Sequence, residues 1–563
     1  MNILSQQTDK QHFFYITMNK RALTGNVSIA IIFFIIINAV FIQMPLSGSL
    51  TGNNDTWANL SMFKDMGNHI ANIFQHNQLA SSNYPCNNIW PLYGLDFFSG
   101  IIFLFFKLFH LSDLWAYHLY ISTIYALNSF AIYKLCRLYS ASKFGCFLAG
   151  FFFSISNFVL ANIDNPNIVL SFPGFLALYY LIGSLRNNSI GKFSAFILLS
   201  NLQFLMAPIT AVMFFFIMAP YILFHCRKLF FLFRGNWIQV IPIALFLCSL
   251  IPYIYYYIIL KIPTSEFNAT RGVSVATNIS MSLDDFCRTL PGNIFFQTEN
   301  DQWISMIKSG YTGIALVSVA AIGAWPFRRT RYPLFIFLAG FFLSMGPYIS
   351  IYSHPLFPSP LLIVYKLIPL SDYLRIPSRF FILGIAGLVI LFSVGWERLM
   401  RSNNKSVRTL AYVIPILYIG ENLPFPLKKY SSHKVFENGS KTNDFIRRSK
   451  YKNVLNLPSK LFDGQDYREY VYMYYQTINR INTINGSLAY FPKIRLQNDT
   501  LCRRIEQEGS LEKLVNNNSI DLVIFHSDLA DTSENVELQT LKTSLLLKPI
   551  DTSGEEKIFA VVK

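Results

Sequence analysis

Residues 97–111 read FFSGIIFLFFKLFHL, an almost wholly apolar run that nevertheless carries Lys107 and His110. As a helix at 1.5 Å per residue it reaches about 22 Å, short of the roughly 30 Å hydrocarbon core of a bilayer. Whether it spans or lies in the interface sets the sidedness of everything after it. The positive-inside rule decides. If the stretch is interfacial, the short basic loops all share one side: Lys134/Arg137/Lys143, Arg186/Lys192, Arg227/Lys228/Arg234, Arg328/Arg329/Arg331 and Arg398/Arg401/Lys405/Arg408. The N-terminal arm with Lys10, Lys20 and Arg21 joins them. If it spans, every later loop flips outward. The stretch is therefore read as an interfacial helix and the N-terminus as cytoplasmic.

Eleven further stretches read as spans: about 27–46, 115–135, 144–162, 167–185, 193–207, 209–226, 237–258, 311–325, 332–349, 378–396 and 407–421. The first has a long apolar core, and Ile42–Gly48 (IQMPLSG) offers no cleavage site of the small-residue type, so it reads as an anchor. Composition agrees. The 563 residues are 52% hydrophobic and 16% aromatic but only 14% charged, against about 25% charged in a soluble domain. That balance excludes an ordinary cytosolic enzyme, a disordered chain and a fibre.

The fold class expected is an α-helical polytopic membrane protein with about eleven transmembrane helices over residues 1–425. It carries a first external loop, 47–114, a large external loop, 259–310, and a third outer segment, 350–377. Residues 426–563 alternate short β-like runs (Asn453–Leu457, Asp521–His526, Lys557–Val562) with polar helical stretches. They read as a small extracytoplasmic α/β domain.

The net charge of +16 raises the question of nucleic acid. Residues 1–425 carry 27 Lys and Arg against 14 Asp and Glu; residues 426–563 carry 20 against 17. The excess lies between apolar segments, where topology requires it, and forms no basic stripe, so no nucleic-acid partner is expected. Of the 14 acidic residues, only Asp9 and Glu397 fall inside. The rest face outward or lie at the outer interface, like the lining of an external site. The seven cysteines are scattered without a CxxC pair or ligand spacing.

Three outer segments hold candidate chemistry. The first loop opens with Gly52-Asn53-Asn54-Asp55-Thr56-Trp57. A carboxylate at the mouth of a membrane cavity is desolvated on one side, which raises its pKa toward neutrality and suits a general base; the plainer reading of Asp55 is an Asx-turn with Thr56. Before the tenth span stands Asp372-Tyr373-Leu374-Arg375-Ile376-Pro377-Ser378-Arg379-Phe380. Arg375 and Arg379 there suit bidentate phosphate binding, against snorkelling of Arg379 and an Asp372–Arg375 ion pair. In the long loop, adjacent Asp284 and Asp285, with Glu299, form a candidate divalent-cation or acceptor site. Adjacent side chains diverge, which favours a helix-start role. Asp164, in Asp164-Asn165-Pro166-Asn167, is a turn residue or a further wall of the same cavity. No P-loop, GxSxG or HExxH motif occurs.

Taken in order, these pieces resemble the GT-C superfamily of integral-membrane glycosyltransferases, and within it the bacterial YfhO-like branch with an external C-terminal domain. The resemblance rests on Asn54-Asp55-Thr56-Trp57, Asn83-Tyr84-Pro85 with Gly94-Leu95-Asp96, Gly310-Tyr311-Thr312-Gly313, Leu374–Phe380, and a tail with Leu457-Pro458, Tyr472–Thr477 and Asn485-Gly486. It implies an enzyme of the bacterial inner membrane that takes a sugar from a polyprenyl-phosphate donor on the outer face, usually with inversion. It implies a membrane-borne donor, an envelope glycan acceptor such as O-antigen or teichoic acid, Asp55 as base, and Arg375 and Arg379 as the phosphate clamp. Three other readings compete: an O-antigen polymerase or ligase, a lipid-linked polysaccharide flippase, and a non-catalytic scaffold of the same fold. A flippase would place charges inside the spans and show two related halves, which the sequence lacks.

Overall fold

The computed structural model describes residues 24–46, 54–73, 97–163, 165–233, 273–290, 293, 308–325, 327–367, 376–423, 445–446, 448–459, 467–479, 482–485, 493–502, 504–505, 510–527, 529–530, 535–551 and 556–562. Helices fall on ten of the eleven apolar stretches; the other, 237–258, lies outside the described residues. Among the described residues, three helices are by themselves long and apolar enough to cross a bilayer: Thr24–Phe41, Lys143–Ala161 and Pro377–Met400.

The last of these is the axis of the bundle. Every residue from Phe381 to Glu397 is buried. A helix apolar all round can be stable only if it is enclosed, and small residues let its neighbours approach. A Cβ on Gly323 of the Ile314–Ala324 helix would collide with the backbone of Leu391 and Gly395. One on Gly340 of Phe327–Ser344 would collide with the backbone of Gly384. Where lipid removes the hydrophobic drive between helices, close backbone contact of this kind supplies the attraction. Phe152 of Lys143–Ser154 packs on Phe392 and stacks on Tyr418, which donates to the Phe152 carbonyl at 2.9 Å. Peripheral helices turn apolar side chains outward instead: Ile35, Phe215, Leu223, Phe224, Ile314, Phe342 and Ile416 are exposed, as expected of a lipid-facing surface.

The 167–185 stretch departs from one continuous helix. A short turn, Pro166–Val169, precedes Phe172–Asn187. Polar side chains satisfy the broken backbone: Asn128 donates to the Val169 carbonyl and accepts from Ser171 N–H, while Gln203 donates to Leu170 and accepts from Gly174. After Phe327–Ser344 the chain forms a hairpin, Tyr348–Ile351 paired antiparallel with His354–Pro358. Its two turn residues, Tyr352 and Ser353, both have positive φ, the backbone that matches strand twist in two-residue hairpin loops. The sequence carries no Asn-Gly signal there, so the hairpin was not expected.

The C-terminal residues form a mixed five-stranded sheet in the order Asn482–Thr483, Asn453–Leu457, Leu522–His526, Glu556–Val561, Leu547–Asp551. The first three strands are parallel and the last two pair antiparallel. Asn453–Leu457 and Leu522–His526 are buried at every position, because helices cover both faces. These strands match the β-like runs of the sequence to within a residue.

A candidate active site at one end of the bundle

Two helices of equal length set the site. Asp113–Cys136 and the run Pro377–Met400 each have 24 residues. Beyond the end of the first, Ser140 Oγ and Ala141 N–H donate to Glu397 Oε2 at 2.8 and 2.6 Å. The C-terminal ends are thus tied together. The stretch Lys143–Ala161 runs back between them, with Ser154 bonded to Tyr125 and Ser129 and Phe158 set against Phe381, so the starts at Asp113 and at Pro377-Ser378-Arg379 lie at the same opposite end of the bundle, the end that the charge pattern assigns to the outside.

At one of these starts stands the first-loop helix, Asn54–Ile73, with Asp55 as its second residue. The Asp55 side chain lies outside the described residues. Its neighbours Thr56 and Trp57 are buried, so the first turn is seated in the protein. The helix Phe97–Lys107 lies against it, with Phe103 and Phe63 ring centroids 5.8 Å apart. At 11 residues this helix is about 16 Å long, too short to span. It exposes Ile101 and Phe105, and the turn just after it exposes Leu108 and Phe109. The chain reverses at His110, which has a positive φ of 56°.

This reversal brings Lys107 back to Asp113, and the result is a charged cluster that sequence reading missed. Asp113 accepts from Lys64 at 2.5 Å, Lys107 at 2.7 Å and the Tyr474 hydroxyl at 2.9 Å. Three parts of the chain distant in sequence, around Lys64, around Lys107 and Asp113, and around Tyr474, meet there. Burial of Asp113 opposes ionisation, but the charges and hydrogen bonds of Lys64 and Lys107 outweigh it and hold the carboxyl below its ordinary value. Only the spacing of Lys107 and Asp113 across a turn hinted at the pairing; Tyr474 is 361 residues away. A depressed folded-state pKa adds stability above the unfolded value, and that stability is lost as the carboxyl protonates in acid. The melting-temperature gap between wild type and Asp113→Asn should therefore hold from pH 7 to about 5, then close as pH falls below about 4. A gap that stays constant to pH 3 would contradict this.

At the other start, Pro377–Phe380 forms a 3-10 turn that leads into the central helix. Arg379 is buried, with 9% exposure, so it does not snorkel to the surface. Arg375 lies outside the described residues. The long outer loop packs on this rim: Phe286 meets Phe381 with ring centroids 5.0 Å apart.

Asp284 and Asp285 open the 3-10 turn Leu283–Cys287. Asp285 caps it reciprocally with Ser282, and Arg288 lies 3.5 and 3.3 Å from the two carboxylates. Asp284 also accepts from Tyr352 N–H at 2.7 Å. Burial raises the Asp285 pKa against the opposing pull of Ser282, Arg288 and Lys308. Asp285 thus has the helix-start role, while Asp284 ties the turn to the hairpin and to Arg288. Among the described residues no group of three or more His, Cys, Asp and Glu could hold a metal ion; Asp164 and Glu299 lie outside them.

The Gly310-Tyr311-Thr312-Gly313 motif is explained by packing. Gly313 has φ of 85°, and a Cβ there would press on Asn422 and Glu421. Glu421 accepts from Tyr311 Oη at 3.3 Å and from Ala315 N–H at 3.2 Å, capping the next helix. Asn157 joins the same rim, donating to Asn422 and to the Tyr311 carbonyl and accepting from Leu290 N–H.

No family model and no curated protein matches the sequence. Among solved structures, the cryo-EM structure of the arabinofuranosyltransferase AftD from Mycobacteria aligns over 94% of this chain with a TM-score of 0.55 and 12% identity. The two chains share a fold. This chain covers 41% of that AftD chain. The archaeal oligosaccharyltransferase AglB from Archaeoglobus fulgidus aligns over 96% of this chain and 74% of its own, with a TM-score of 0.40 and 12% identity.

Proposed function

We propose that this protein is a membrane glycosyltransferase that moves a sugar from a polyprenyl-phosphate donor to an envelope glycan on the outer face of the bacterial inner membrane. In this reading about eleven helices span the bilayer, the N-terminus is cytoplasmic and the C-terminal α/β domain is external. The acceptor hydroxyl gives its proton to Asp55 as its oxygen attacks the anomeric carbon. The bond from that carbon to the phosphate oxygen breaks, and the anomeric centre inverts. Polyprenyl phosphate leaves with the electron pair, and Arg375 and Arg379 hold its charge. The observation that supports this best is that the helix carrying Asp55 and the turn carrying buried Arg379 stand at the same end of the bundle. A donor whose lipid lies in the bilayer presents its phosphate at that depth.

The test is transfer by the purified protein in nanodiscs, given radiolabelled polyprenyl-phosphate sugars and a crude envelope-glycan acceptor. Label should move to the glycan one sugar at a time. Growth of polymer without single-sugar transfer would instead indicate a polymerase, and movement of intact lipid-linked sugar across the bilayer a flippase. In the same assay Arg379→Ala should lower kcat/KM for the donor roughly 10–100-fold, the worth of a hydrogen bond to a charged group. Arg379→Lys should recover only part, since an ammonium cannot bind phosphate bidentately. Equal donor kinetics in all three proteins would remove Arg379 from the clamp.

A further inference from the structure

The helix Tyr467–Asn479 faces two ways. At 100° per residue, Tyr472 and Tyr475 share one side while Tyr474 points away from it. Tyr472 and Tyr475 stack on His526, with centroids 5.1 and 5.8 Å away, at the carboxyl end of the central strand Leu522–His526. Tyr472 also donates to the Pro458 carbonyl at 2.9 Å. This side belongs to the C-terminal sheet. Tyr474 belongs to the membrane part. Its ring meets Trp57 edge-on at 5.3 Å, Lys64 lies 4.7 Å above it, and its hydroxyl donates to Asp113. Trp57 is two residues from Asp55 on the same helix, so one aromatic residue of the C-terminal domain grips both the turn that carries Asp55 and the carboxylate that anchors Lys64.

Building on the assignment of Asp55 as base, we propose that Tyr474 is a positioning residue. Through Asp113 and Trp57 it makes the seating of the first-loop helix depend on a docked C-terminal domain. The aromatic contact alone would be ordinary packing. The hydroxyl adds a directional bond to a buried carboxylate that already holds one cation from the first-loop helix and one from the interfacial helix. Losing that hydroxyl leaves the ring in place and releases one of the three tethers.

Two readouts test this on the full-length protein in nanodiscs. Tyr474→Phe should lower kcat at least tenfold with KM for the donor within twofold, because donor binding lies with the arginines. The double variant Tyr474→Phe/Asp113→Asn should be no slower than Asp113→Asn alone, since residues acting through one contact are not additive. Unchanged kcat, or effects that multiply, would overturn the proposal. The second readout needs no activity. Thr56 is 1% exposed, so Thr56→Cys should react slowly with maleimide at that site and at least tenfold faster when Tyr474→Ala is added. Equal labelling would overturn the brace. If the wild type transfers no sugar from any donor, the Asp55 assignment fails, and labelling alone decides whether Tyr474 seats the helix.

Discussion

Asp55→Asn should transfer sugar about 10²–10⁴-fold more slowly than wild type while inserting and melting normally. That range is what a positioned general base contributes, and at 1.36 kcal/mol per tenfold it corresponds to roughly 3–5 kcal/mol of barrier. Asparagine keeps the size and planar shape of the side chain, and it still suits the first turn of the Asn54–Ile73 helix. What it loses is the capacity to take the acceptor proton. Donor binding should persist, because the proposed phosphate clamp does not include Asp55. The measurement is single-turnover transfer with saturating donor, beside a thermal melt of the same preparation. Transfer at the wild-type rate would move the base to another residue; loss of folded protein would make Asp55 structural.

Gly323→Val should be the most damaging single substitution in the bundle. A Cβ at Gly323 meets the Leu391 carbonyl and the Gly395 amide of the central helix, and a Cβ at Gly395 meets the Val319 carbonyl and the Gly323 amide in return. These obstacles are main chain on both sides, so no side-chain rotation relieves them. The helices must separate. The cost should reach or pass the upper part of the 1–3 kcal/mol range for overpacked cores, with the contact that holds Ile314–Ala324 to the axis weakened along its length. Gly191 provides the contrast: nothing lies within 4 Å of its Cβ position, so Gly191→Ala should be neutral or stabilising by about 0.5–1 kcal/mol. Melting temperatures in detergent, compared across the three proteins, decide it. If Gly323→Val melts like Gly191→Ala, the close packing of the central helix is wrong.

Much of this architecture is written in one-dimensional patterns. Apolar run length marked the helices, because the bilayer core demands a minimum length of apolar chain. The 97–111 stretch was short enough that a helix unable to span followed from arithmetic. The strands at 453–457 and 521–526 showed themselves as short apolar runs between polar segments. Asp284 and Asp285 illustrate the limit: side by side in sequence they suggest a ligand pair as readily as a helix start. Only the placement of Ser282, Arg288 and the Tyr352 amide around them distinguishes the two. Gly310–Gly313 is similar, since a positive φ and the reach of Glu421 become visible only when the ends of two distant helices meet.

By itself, the sequence determined the solvent, the helical class and the presence of an α/β tail. Each of these depends on composition or on spacing along the chain, which a single sequence displays directly. The tertiary structure alone decided that Asp113 gathers Lys64, Lys107 and Tyr474, that Arg379 is buried, and that the starts at Asp113 and Arg379 share one rim. These depend on contacts across as many as 361 residues. Contacts of that span leave no period or spacing in the chain, because their partners are chosen by packing and charge in three dimensions.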